Sequence, residues 1–147
     1  MPYQAKRSKK YIEEFELVDE NGEIAHHMEV KLDAAELIKN IHGKYLNLVK
    51  ALGKIQKYST EALTHEETTD AMEILGQAMV DMLQVVFGKE NADIIVRFYE
   101  GRYVEMAQEV FPFFTDVVVP RCDEIIKAQR EQIKSKYNRK RRRLFGR

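Results

Sequence analysis

The sequence predicts a mainly α protein, a small helical domain with an N-terminal β-hairpin. Three observations predict it. One alternating stretch, YIEEFELVDENGEIAHHMEVKL, carries an Asn-Gly pair near its middle. Downstream of it, apolar residues recur every three or four positions. Gly88, Gly101, Pro112 and Pro120 then cut that pattern into segments of helix length. A chain of 147 residues is about one domain. The expected organisation is a basic flexible arm over residues 1–10, a single globular domain over 11–133, and a basic tail over 134–147, with the hairpin at 11–32 and helices across 34–133.

In the hairpin, Phe15 and Leu17 alternate with Glu14 and Glu16, and the turn DENG offers Asn21 and Gly22 for positive φ. On the second strand Ile24, His26, Met28, Val30 and Leu32 are expected on one face, with Glu29 and Lys31 on the other. A lone two-stranded ribbon is marginal in water, so it must pack on helices or pair with another chain. Asp33 and Glu36 form a capping box, opening a helix whose apolar face is Leu37, Ile41, Tyr45, Leu48, Leu52 and Ile55, with a break at Ser59-Thr60. Thr64 and Glu67 form a second box, before a helix carrying Met72, Leu75, Met79, Met82, Leu83 and Val86 and ending at Gly88. A third helix is expected from Asn91 to Glu100 and a fourth from Tyr103 to Val110, with Pro112 and Pro120 as breaks. A long polar helix follows from Arg121 to Asn138. Its apolar positions thin to Ile125, Ile126, Ile133 and Tyr137, so its end should project or fray.

Charge is partitioned along the chain. The 24 basic and 24 acidic residues cancel. Four of the cations precede residue 11 and eight follow residue 133, whereas every carboxylate lies between. The body is therefore strongly acidic and both ends are basic, a pattern of interaction tails that can lie on nucleic acid, on an acidic partner, on their own body or on another copy. The single cysteine, Cys122, excludes an internal disulfide framework and suits a reducing compartment. The N-terminus lacks the apolar core of a signal peptide, and VFPFFTDVVVP is far shorter than the ~20 residues of a membrane span. A cytoplasmic protein without membrane contact is the expectation.

Motifs of chemistry are sparse. His26, His27, His42 and His65 contain no helical i, i+4 pair, and adjacent His26 and His27 point to opposite strand faces. The expected reading is one half-buried and one wet imidazole, with no metal and no cofactor. There is no G-x-S-x-G, phosphate-binding loop or dinucleotide fingerprint, and no carboxylate pair stands out, so no enzyme activity is expected. Two segments have two readings each. Met79 and Met82 belong either to the core or to an adaptable groove for a partner helix. Phe98, Tyr99, Tyr103, Phe111, Phe113 and Phe114 form a core with an exposed aromatic rim, or an interface. The cations Arg139, Lys140, Arg141, Arg142 and Arg143 are a solvated or acidic-partner arm, or a backbone-reading nucleic-acid contact.

The stretch FYEGRYVEMAQEVFPFFTDVVVPRCDEI resembles, over about residues 91–126, the tail assembly chaperones of long-tailed phages and prophages of Gram-positive bacteria. The shared features are an aromatic-Tyr-Glu-Gly-x-Tyr turn, an apolar helix, Phe-Pro, and a Val-rich run closing on Pro. The hairpin and the charged tail agree more loosely. The resemblance implies a non-enzymatic helper in the host cytoplasm, absent from the mature virion. Such a helper binds the tape measure protein and brings tail-tube subunits to it; separately, the open ribbon edges and the opposite charges of tail and body give two routes to a homo-oligomer. The alternative is a small nucleic-acid-binding protein using the basic tail.

Overall fold

The computed structural model describes residues 1–7, 11–32, 34–58 and 64–145, without the side chains of 57–58 and 139–145. Asp33, Ser59 and Thr60, to which the sequence assigns a cap and a break, lie outside the described residues. Residues 1–7 carry no regular secondary structure and are exposed.

Alternation in the first segment builds strand β1, Ile12–Val18, antiparallel to β2, Ile24–Lys31. Phe15 lies opposite Met28 and Leu17 opposite His26, but Val18 lies opposite Ile24, which leaves Ala25 unpaired. This bulge corrects the expected facing. One extra residue inverts the alternation beyond it, so Ile24 joins Val18 on the outer face, with 62% and 51% of their surfaces exposed. The turn also differs from expectation. Only Gly22 takes positive φ, +82°, while Asn21 does not. The Asp19 carboxylate accepts the amides of Asn21 and Glu23 at 2.9 and 3.0 Å, and the Gly22 amide donates to the Asp19 carbonyl, which is a three-residue hairpin loop closed by a left-handed glycine.

Helices α1, Ala35–Tyr58, and α2, His65–Phe87, pack side by side beneath the hairpin. Their charges are opposite: α1 carries five lysines against Glu36, and α2 carries five carboxylates and no lysine or arginine. Thr64 Oγ1 accepts the Glu67 amide at 3.1 Å, which is the N-cap read from the sequence. Gly88, at φ +85°, ends α2 and directly begins α3, Lys89–Phe98, so this helix starts two residues before the sequence places it. Glu100 and Gly101 turn the chain with φ of +54° and +75° into α4, Tyr103–Phe113.

The expected breaks at Pro112 and Pro120 are corrected. Helix α4 runs through Pro112, passes into a π-helical stretch, Phe114–Val118, and continues as α5, Val119–Phe145. The Val119 amide donates to the Phe114 carbonyl, five residues back. One extra residue in that turn widens the helix where the ring of Pro120 would otherwise crowd the carbonyl of Asp116. Buried residues on either side, Val110, Phe114, Val118, Cys122 and Ile125, thereby stay on one continuous inward stripe.

The core is shared by every element. Met28, Val30 and Leu32 from the hairpin meet Ile41 and Leu48 of α1, Met79, Met82 and Leu83 of α2 and Ile95 of α3. Its aromatic centre joins the two ends of the chain: the Phe15 ring lies 4.9 Å from both Phe87 and Phe113, and Phe114 is fully buried beside them. Among the described residues no polar or charged residue is buried. Helix α5 is fastened by Arg121, which donates to Glu13 of β1 at 2.7 Å and to Glu124 at 2.9 Å, and by His42 of α1 lying 3.3 Å from Asp123. From residue 129 to 138 every side chain is exposed, so the helix projects from the body as expected, and it remains helical to Phe145. The boundary drawn at residue 133 from charge thus falls within one helix. No helix among the described residues is long and apolar enough to cross a membrane.

Candidate interaction surface

Gly76 sets how the layers end. A Cβ there would lie 3.0 Å from the ring of Tyr103, so the first turn of α4 rests directly on α2 at this glycine. At the other end of α4, Phe111 stacks on Tyr45 of α1, with ring centroids 6.0 Å apart and planes 6° apart, and the Tyr45 hydroxyl meets Thr115 at 3.2 Å. Helix α4 therefore lies across the α1–α2 pair and covers only part of it. One turn before Gly76, Met72 continues the inward stripe of α2 yet is 45% exposed. Leu46, Val49 and Val104 are likewise exposed. Helices α1, α2 and α4 thus each carry apolar side chains that no other element covers fully, together termed the strip.

The residues singled out from the sequence divide around this strip. Met79, Met82 and Phe114 have no exposed surface, so the groove reading of the two methionines and the interface reading of Phe114 are corrected: all three fill the core. Phe98, Tyr99, Tyr103, Phe111 and Phe113 are half-buried, which is the core with an aromatic rim. Phe113 is held between Phe15 and Phe87, and Phe98 meets Tyr99 edge-on at 5.1 Å. The strip residues Leu46, Val49 and Val104 escape the sequence reading because they fall beside the apolar stripes rather than on them. Their signal is the doubled pairs Tyr45-Leu46 and Leu48-Val49, which broaden one face of α1. The side chains of Arg139, Lys140, Arg141, Arg142 and Arg143 lie outside the described residues, on a backbone that is helical.

A second feature lies at the hairpin tip. A cleft of about 290 Å³ opens between Val18, Asp19 and Glu20 of the hairpin and Phe98, Tyr99 and Glu109 of the helices. Arg102 at its edge pairs with Glu100 at 3.2 Å and Glu105 at 3.5 Å. Burial and then the nearby Glu109 and Glu105 carboxylates hold the Tyr99 phenol above its usual range, and the cleft is lined by Asp19, Glu20, Glu100, Glu105 and Glu109 against the single cation Arg102.

The histidines and the thiol show little that is chemically poised. His26 and His27 face opposite ways as expected, but both are exposed, which corrects the half-buried reading of one of them; the bulge leaves His26 at the hairpin's end, 6.4 Å from the Phe98 ring. His27 lies 3.9 Å from Glu14, and His65 opens α2. Among the described residues no three His, Cys, Asp or Glu side chains gather as a metal would need. Burial and then Asp123 push the Cys122 thiol up to about 11, so it is held protonated in the core. Comparison of the chain with protein-family models, with curated proteins and with solved structures finds no match.

Proposed function

We propose that the protein is a non-catalytic assembly chaperone that covers apolar helical segments of a larger partner. In the reading suggested by the resemblance, that partner is the tape measure protein of a long-tailed phage, to which it brings tail-tube subunits in the host cytoplasm before leaving the finished particle. The observation that carries the reading is the exposure of Leu46 and Val49 on α1, Met72 on α2 and Val104 on α4. An amphipathic helix laid along them would bury apolar surface of both molecules, as helix-in-groove recognition does. The acidic body then keeps the pair in solution by mutual repulsion between complexes.

The test is co-expression with a tape measure protein of a long-tailed phage. The expected result is that the partner moves from the pellet to the supernatant and co-purifies after nuclease treatment. Val49→Asp with Met72→Asp should lower the captured amount about tenfold or more while leaving thermal unfolding unchanged, since both sites are exposed. Capture that is indifferent to both substitutions rejects the strip as the binding face.

A second reading is favoured by one observation: the basic end is a continuation of a projecting helix. A helix of that charge can enter a groove of a duplex and hold phosphates. It predicts binding whose salt slope collapses when the chain ends at Ile133, whereas strip variants bind nucleic acid normally.

A further inference from the structure

The projecting arm is itself an incomplete surface. Ile133 and Tyr137 stand four residues apart on one face of α5, with 69% and 65% of their surfaces in water. The sequence continues that face to Leu144 and surrounds it with cations from Lys134 to Arg143. An amphipathic basic helix calls for an apolar seat with a carboxylate rim. The cleft at the hairpin tip has that character. Val18 and the half-buried pair Phe98 and Tyr99 supply the apolar seat, and Glu20 and Glu109, neither ion-paired among the described residues, supply the rim. The outward-turned Ile24 extends the apolar surface beside Val18.

The arm cannot reach its own cleft. It is one continuous helix whose residues 129–138 are all exposed, and the 17 residues from 129 to 145 make a helix about 25 Å long. We infer that the basic α5 arm of one copy docks, by its Ile133–Tyr137 face, into the Val18–Phe98–Tyr99 cleft of a second copy. Arm and cleft are different surfaces, so the contact is head-to-tail, and each copy that docks leaves one arm and one cleft free for the next. Salt weakens the contact by screening the rim, because the Debye length shrinks from about 10 Å at 0.1 M to a few ångströms at 1 M.

The inference stands apart from the partner-binding strip and is tested without any partner. Sedimentation of the nuclease-treated full chain should show concentration-dependent assembly at low salt, with an apparent dissociation constant at least about tenfold weaker at 0.5 M salt. An arm variant, Ile133→Asp with Tyr137→Asp, and a cleft variant, Glu20→Lys with Glu109→Lys, should each sediment as a monomer. All four positions are exposed, and circular dichroism checks that the fold is kept. Mixed together, the two variants should form a one-to-one dimer, because one retains the cleft and the other the arm. Monomeric full chain at millimolar concentration, assembly that persists in either variant, or a mixture that stays monomeric overturns the inference. Strip variants that lose the partner while still assembling would fault only the proposed function.

Discussion

At the scale of single residues, Gly76 shows how a missing side chain fixes the packing of two helices. Three ring atoms of Tyr103 lie within 3.3 Å of where its Cβ would be. Alanine there gains about 1 kcal/mol of helix propensity but forces the base of an aromatic ring aside, an overpacking cost of roughly 1–3 kcal/mol. Gly76→Ala is expected to lower the melting temperature by a few degrees. Gly43→Ala is the control: it sits in exposed α1 with nothing near its Cβ position, and should raise the melting temperature. Differential scanning calorimetry of the pair checks the signs. Nothing in the sequence marks Gly76 apart from Gly43, since both are glycines inside helical patterns. The difference is made by a residue 27 positions downstream of Gly76, Tyr103.

At the scale of elements, the hairpin and the helices were legible because their periods are local. The alternation of β1, the Thr64 cap and the Gly88 stop each depend on residues within a few positions, and each is where the pattern puts it. The facing of Ile24 was not legible, because a bulge shifts the phase by one residue and leaves no signature of its own. The prolines misled for a related reason. A proline usually ends a helix, but the π-helical stretch between Pro112 and Pro120 absorbs the second ring and keeps the apolar stripe in line. Deleting Thr115, one exposed residue of that stretch, should return it to α-helical pairing, which keeps Cys122 and Ile125 on the inward stripe but brings the Pro120 ring against the Asp116 carbonyl at a cost of about 3 kcal/mol. The deletion is expected to lower the melting temperature while the near-ultraviolet dichroism of the packed aromatics is kept. Thr115→Ala, which loses only the hydrogen bond to Tyr45, should cost about 1 kcal/mol or less.

At the scale of the whole molecule, the charge partition read from the sequence maps onto body and arm, but not onto a break in the chain. Residues 129–138 make no contribution to the core, so a chain ending at Ile133 is expected to melt within about 0.5 kcal/mol of the full one. Its net charge falls from zero to −8, because eight cations and no acid are removed, and its electrophoretic mobility toward the anode should rise accordingly. Which parts of the surface serve a partner was only half legible. Hydrophobic content marks candidates such as Met79 and Phe114, but burial depends on what covers them, and here α4 covers those and stops short of Met72.

The meeting of Phe15 with Phe113, and of Glu13 with Arg121, has a consequence for how the protein is made. During vectorial synthesis the hairpin emerges first; α1 to α3 supply cover for Met28, Val30 and Leu32, but Phe15 and Glu13 lack Phe113 and Arg121 until some hundred residues later, when the α4–α5 segment leaves the ribosome. Docking of that late-made segment onto early-made chain is a non-local closure, the kind of contact whose loop entropy slows folding.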